Sequence, residues 1–214
     1  MSNRTLVILK VIVFAACLVP LGLLVKGGLQ QNLGADPVNT ITHATGDWTL
    51  YFLLLSLAIT PVRRLWSKLG WLIRFRRMLG LFAFFYASLH LTAYIWLYSG
   101  FDVPTMLADI VKRKFITMGL LGWLVMVPLA LTSTAWAIRK LGGRRWQLLH
   151  RLAYVAAIAG VVHFWWLVKP GVRTPMRDTV ILACLLLARL AWSAYQRWKH
   201  RAAAVRQPVT SNVS

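Results

Sequence analysis

Glutamate is absent from the chain, and five aspartates are the only carboxylate side chains set against 25 lysines and arginines. Charged residues make up 14% of the 214 positions and hydrophobic ones 58%, which argues against a soluble globule and for a polytopic membrane protein. The net charge of +20 could suggest a nucleic-acid groove. The cations, however, fall in short clusters between apolar runs of membrane-spanning length, the pattern of topology-setting loops, so no nucleic-acid partner is expected. Only two cysteines occur, Cys17 and Cys184, both inside apolar runs where a thiol behaves as a small hydrophobe. C-x-x-C-H is missing, so any haem would be b-type rather than covalently attached. G-x-G-x-x-G and the phosphate-binding loop are missing too, so the chain cannot oxidise a nicotinamide by itself.

What is present reads as six apolar spans. The first runs from about Leu6 to Val25, with Pro20 as a kink; its length and the lack of an A-x-A site favour an uncleaved helix over a signal peptide. Lys26 to Gly46 reads as a polar connection and holds His43, which is expected to be solvated. A second span follows from Asp47 to about Thr60, ended by Pro61 with Arg63 and Arg64. The basic, aromatic stretch Pro61–Arg77 fits a cytoplasmic loop or an interfacial helix. The third span, Met78–Tyr98, carries His90; a loop from Ser99 to Phe115 leads to the fourth, Ile116 to about Ala135. After a turn at Gly142-Gly143, the run Arg144–Lys169 carries His150 and His163, and the sixth span covers Thr179 to about Tyr195. The expected fold is therefore all-α, a six-transmembrane-helix bundle over residues 1–198 with a polar tail at 199–214, disordered at its end.

Charge orients the bundle. With both termini, the 61–77 stretch and the 136–145 turn on one side, 16 lysines and arginines collect there against 7 on the other. The positive-inside rule then makes both termini cytoplasmic.

Histidine depth follows from that topology. At about 1.5 Å per residue, His150 and His163 stand roughly 20 Å apart along one helix, a large part of a ~30 Å hydrocarbon core. His90, twelve residues into its span, shares the depth of His163. A haem held between the third and fifth spans would pair His90 with His163, and two neutral imidazoles suit electron transfer better than oxygen chemistry. On an ideal helix His150 and His163 point about 140° apart, so a bend, a π-turn or two separate haems would be needed. The competing readings are a proton-coupled transporter with buried histidines and a stand-alone metalloreductase acting on ferric chelates.

The six-span layout, His90 on the third span and His150-x12-His163 on the fifth resemble the ferric-reductase-like transmembrane domain shared with NADPH oxidases. The stretches RFRRMLGLFAFFYASLHLTAY and RRWQLLHRLAYVAAIAGVVHFWW are similar in particular to the MsrQ (YedZ) family, haem-binding membrane subunits of bacterial methionine sulfoxide reductase systems. The likeness covers nearly the whole chain. It implies a multi-pass protein of the bacterial inner membrane, one haem b or two, and FMN. It also implies a periplasmic molybdopterin partner, MsrP, with electrons drawn from the quinone pool or a cytosolic flavin reductase. No reactive cysteine pair or molybdenum site is seen, so sulfoxide reduction itself falls to that partner.

Two departures from the wider family stand out. The second histidine expected fourteen residues before His90 is Arg76, an improbable iron ligand, which leaves His150 without an obvious partner. Arg76 or Arg77 could pair with a haem propionate or a flavin phosphate, and Arg74, Arg144 and Arg151 belong to the same cationic, aromatic surfaces. Further, fewer than twenty residues follow the sixth span, too few for the nucleotide-binding domain of an NADPH oxidase.

Overall fold

A computed structural model of the chain describes residues 2–168 and 174–206, and all regular structure among them is helical. Six helical segments are long and apolar enough to cross a membrane.

The first is α1, Asn3–Leu29, capped by Ser2, whose hydroxyl accepts the Thr5 N–H at 3.2 Å. Pro20 interrupts it as the sequence predicts, and the structure shows how the break is repaired. The hydroxyl of the fully buried Tyr86 enters the helical ladder, accepting the Leu21 N–H at 3.1 Å and donating to the Cys17 carbonyl at 2.8 Å. Side-chain insertion of this kind is one of the few ways a helix bends without leaving backbone groups unpaired.

The second span, α2, runs Pro37–Leu65 and starts earlier than its hydropathy suggests. Asp36 caps it by accepting the Asn39 N–H at 3.0 Å, and Pro37 occupies the first turn, where its missing N–H costs nothing. Residues 37–46, read from sequence as a polar connection, are thus helical, and His43 lies on α2. Near the other end, Pro61 cannot donate to the carbonyl of Leu57, four residues earlier. That carbonyl, on a residue 1% exposed, accepts instead from the Arg189 guanidinium.

A 3-10 turn, Ser67–Leu72, leads into α3, Ile73–Ala93, which closes with a π-helical turn at Tyr94–Tyr98. The expected loop after it contains an amphipathic helix, α4, Val103–Lys112, capped by Asp102. Asp109 on its buried side accepts from Tyr94 at 3.1 Å and pairs with Arg113 at 2.9 Å, while Leu107 and Val111 face outward. Next come α5, Lys114–Leu131, and two short helices, α6, Ala135–Leu141, and α7, Gly143–Leu149. Gly142 turns the chain between these two with φ +75°, a conformation that favours glycine. The helical ladder shifts to i→i−3 bonds at His150–Arg151 before α8, Leu152–Leu167. The last helix, α9, Thr174–Arg206, extends well past Tyr195. Residues 174–178, between the expected fifth and sixth spans, and 199–206, expected as polar tail, are thus helical, while 169–173 and 207–214 lie outside the described residues.

Packing follows from the small residues. α2 lies along α3 and α5 along α8, the two most extensive pairings in the bundle. A Cβ on Gly122 of α5 would touch Ala159 of α8 at 3.5 Å, a close approach that small residues permit between membrane helices. The core gathers Leu50, Phe52, Leu57, Phe82, Tyr86 and Ala157, while α1 turns Val7, Ile8, Val11 and Ile12 outward. Outward apolar faces of this extent suit lipid rather than water.

Candidate functional site

His90 on α3 and His163 on α8 meet inside the bundle, with ring centroids 5.9 Å apart and ring planes at 85°. They line a cavity of about 640 Å³, within the ~300–1,000 Å³ typical of ligand sites. Its walls are mostly apolar residues of α2, α3, α5 and α8, such as Leu50, Leu53, Ala87 and Leu120, and Asp36, His43, Asp47 and Arg113 also line it. Met106 and Ile110 of α4 reach it from the end opposite the chain termini.

Each imidazole is aimed by the same device. His90 Nδ1 donates to the Thr42 carbonyl of α2 at 2.9 Å, and its ring rests on Gly46, where a Cβ would stand 3.2 Å from Nδ1. His163 Nδ1 donates to the Phe115 carbonyl of α5 at 2.6 Å and rests on Gly119, where a Cβ would stand 2.8 Å away. In both pairs the glycine lies four residues after the accepting carbonyl. An α-helical C=O points toward residue i+4, whose side chain leans back over it. Glycine at that position leaves the carbonyl open to a second donor from a neighbouring helix. With Nδ1–H committed, the lone pair of each ring lies on Nε2, the tautomer a metal ligand requires. Thr42, Thr45 and Thr49 return their hydroxyls to carbonyls of α2 itself, at 2.7–2.9 Å, so this wall carries no unpaired hydroxyl.

These two imidazoles, with Nδ1 committed to carbonyls and rings 5.9 Å apart, are the residues that would hold an iron porphyrin here. The apolar walls suit the macrocycle.

The structure does not bring His150 to this pair. It stands at the other end of the same span, stacked on Trp146 at 3.9 Å, with Nε2 3.2 Å from the Thr132 hydroxyl. Among the arginines singled out from sequence, Arg76 is half-buried and donates to Thr60 at 3.3 Å. Arg74, Arg77, Arg144 and Arg151 are exposed, the last two beside a surface depression with Arg145, Gln147 and Leu148. Sequence reasoning missed Gly46 and Gly119, whose signal would have been a glycine inside a span beside a histidine-bearing helix. It also missed His43 as a residue lining the cavity.

Residues 45–161 match the family described as the ferric reductase like transmembrane component. A protein of Herminiimonas arsenicoxydans is 51% identical over 205 residues, covering 95% of this chain and 94% of that one. Its name is protein-methionine-sulfoxide reductase heme-binding subunit MsrQ. The chain belongs to the MsrQ family. Proteins of the same name from Rhodospirillum rubrum and Azospira oryzae are 48% and 47% identical, covering 90% and 92% of the chain and 92% and 82% of their own lengths. For this member of the MsrQ family, then, His90, Gly46, Phe115 and Gly119 fall inside the matched region, while Thr42 lies three residues before it and His163 two residues after it.

Proposed function

We propose that the chain is the haem-binding membrane subunit of a protein-methionine-sulfoxide reductase, passing electrons through the bilayer to a catalytic partner. The observation that carries this reading is the pair His90 and His163, 5.9 Å apart with both Nδ1 atoms held by main-chain carbonyls. A haem b bound there would supply a one-electron iron centre. The chain's own part is to fix two neutral ligands in place before and after the electron moves, so that little reorganises, within a mostly apolar lining. The cation distribution supports placing both termini in the cytoplasm of a bacterial inner membrane. On that orientation the histidine pair lies nearer the periplasm, where the resemblance puts the molybdopterin partner MsrP. A quinone pool or cytosolic flavin reductase as donor, and FMN as a further cofactor, rest on the resemblance.

Proton relay is less well supported, because a ring whose Nδ1–H ends on a helical carbonyl passes no proton onward through that nitrogen. The test is a pyridine haemochrome assay on purified wild type, His90→Ala, His163→Ala and His150→Ala. His90→Ala and His163→Ala are expected to lose the same haem, and His150→Ala to keep it. A wild type with no Soret band, or a phenotype shared by His90→Ala and His150→Ala but not by His163→Ala, overturns the assignment.

A further inference from the structure

Four polar residues of α2, Asp36, Asn39, His43 and Asp47, line the cavity that holds His90 and His163. Their spacing of three, four and four residues keeps them within about 80° of one another around the helix, one polar face in a mostly apolar wall. It begins at the exposed cap, Asp36, and ends about 16 Å further along the helix at the half-buried Asp47. Asp47 follows Gly46, against which the His90 ring rests, so it stands at nearly the depth of that ring. The charges that face Asp47 are His43, one turn earlier on α2, and Arg177 and Asp178 of α9. Arg177 is already engaged, donating to Asp178 at 3.2 Å and to the Tyr51 hydroxyl at 2.7 Å. Across the cavity stand His90, His163, Tyr94, Tyr98 and Arg113. Among the described residues the ion pairs are Arg113–Asp109 and Arg177–Asp178, which leaves Asp47 without one.

A carboxylate kept inside a membrane bundle without an ion pair is costly, and ionisable residues in such places mark proton and ion paths. An electron added to a centre in the same low-dielectric cavity lowers the local charge by one, and a neighbouring carboxylate then binds a proton more tightly. We propose that Asp47 is a redox-linked proton site, taking up one proton along the Asp36–Asn39–His43 face when an iron centre between His90 and His163 gains an electron, and releasing it when that electron leaves. One electron and one proton enter and leave together. The proton exchanges between water at the end opposite the termini and a carboxylate oxygen, and no other bond changes. The ligand imidazoles do not relay it, because a main-chain carbonyl holds each Nδ1–H. That an iron centre takes up electrons here rests on the function proposed above; the polar face and its unpaired carboxylate belong to the chain itself. Reduction of a sulfoxide to a thioether and water takes up two electrons and two protons. On that reading, release of one proton with each electron keeps charge balanced on the partner's side.

The test is a redox titration of the purified full-length protein in nanodiscs at about pH 5 to 9, reading the α-band of the haem that His90→Ala removes. One proton per electron changes the reduction equilibrium tenfold per pH unit, about 59 mV. The wild-type potential is expected to fall with rising pH, by up to that slope, over part of the range. Asp47→Asn, neutral and of the same size, is expected to give a flat profile at the wild type's acid-side value. His43→Gln is expected to displace the sloping range and keep the slope. A reduced-minus-oxidised infrared difference spectrum should show a carboxylic acid C=O band in the wild type that Asp47→Asn lacks. A flat wild-type profile overturns the proposal. So does a slope that survives Asp47→Asn, which would assign the proton to Asp178 or to a porphyrin carboxylate. Should Asp47→Asn lose its haem, Asp47→Glu decides: the longer acid must shift the sloping range, and an unchanged profile overturns the assignment. A wild type that carries no haem would defeat the proposed function and this proposal together, whereas haem with a flat profile defeats this one alone.

Discussion

Gly119→Ala places a methyl group where the His163 ring now lies, 2.8 Å from Nδ1 and 3.0 Å from Cε1. Ordinary contact begins at 3.4 Å, so the ring must withdraw by about 0.6 Å or α5 and α8 must separate by a similar amount. Separation would cost the close packing of Gly122 against Ala159 one turn further on, where even an added Cβ would stand only 3.5 Å away. Withdrawal stretches the 2.6 Å bond to Phe115 toward the ~3.2 Å limit of a sound hydrogen bond and misaims Nε2. Loss of the group that orients a metal-bound histidine typically lowers metal affinity about 10–100-fold, or about 1.4–2.7 kcal/mol. The measurement is haem per chain by pyridine haemochrome, with the rate of haem transfer to an apoprotein acceptor and the low-spin EPR signal. Gly22→Ala, in α1 with nothing within 4 Å of the new methyl, serves as the control and should behave as wild type. A Gly119→Ala protein with full haem, wild-type retention and an unchanged EPR signal would refute the glycine-backed carbonyl as the device that aims His163.

Gly46→Ala should give the same defect in weaker form, since its Cβ would stand 3.2 Å from His90 rather than 2.8 Å; a larger effect than that of Gly119→Ala would contradict the geometry. Tyr86→Phe strands the Leu21 N–H and the Cys17 carbonyl inside the bundle and should cost about 1–3 kcal/mol, read as a lowered melting temperature in detergent. An unchanged melt would mean that α1 closes its own ladder at Pro20. Acid should fray the start of α4. The Thr105 side chain, then its backbone N–H, hold the Asp102 carboxyl below the usual aspartate range. Its capping is therefore complete above the unfolded value of about 3.9 and fades as pH falls through the lower folded value. Exchange of the Val103, Thr105 and Met106 amides, corrected for intrinsic pH dependence, should stay flat from neutrality to about pH 4 and quicken only below.

The number of spans and the depth match of His90 with His163 were legible in the chain because hydropathy and helical rise act over long windows. Helix ends were not. Asp36-Pro37 reads as a turn by composition but acts as a cap, which hid ten residues of α2 and placed His43 in a supposed loop. α4 was hidden likewise, since a ten-residue amphipathic helix falls short of any span. The 140° between His150 and His163 on an ideal helix left a bend, a π-turn or separate haems open; the structure loosens the ladder after His150 and leaves His150 away from the His90–His163 pair. What sequence could not show is pairing across helices. That Gly119 serves His163, or that Pro61 frees a carbonyl for Arg189, depends on which helices are neighbours.

The Thr42 and Phe115 carbonyls that steady the two imidazoles are neutral acceptors. A carboxylate in their place would push electron density through the ring and favour the oxidised metal, and it would carry charge into a greasy interior. Main-chain oxygens give the same steadiness without that bias, so an iron centre held here should be easier to reduce than one backed by aspartate. A glycine-for-side-chain trade in two helices thus bears on voltage as well as on shape.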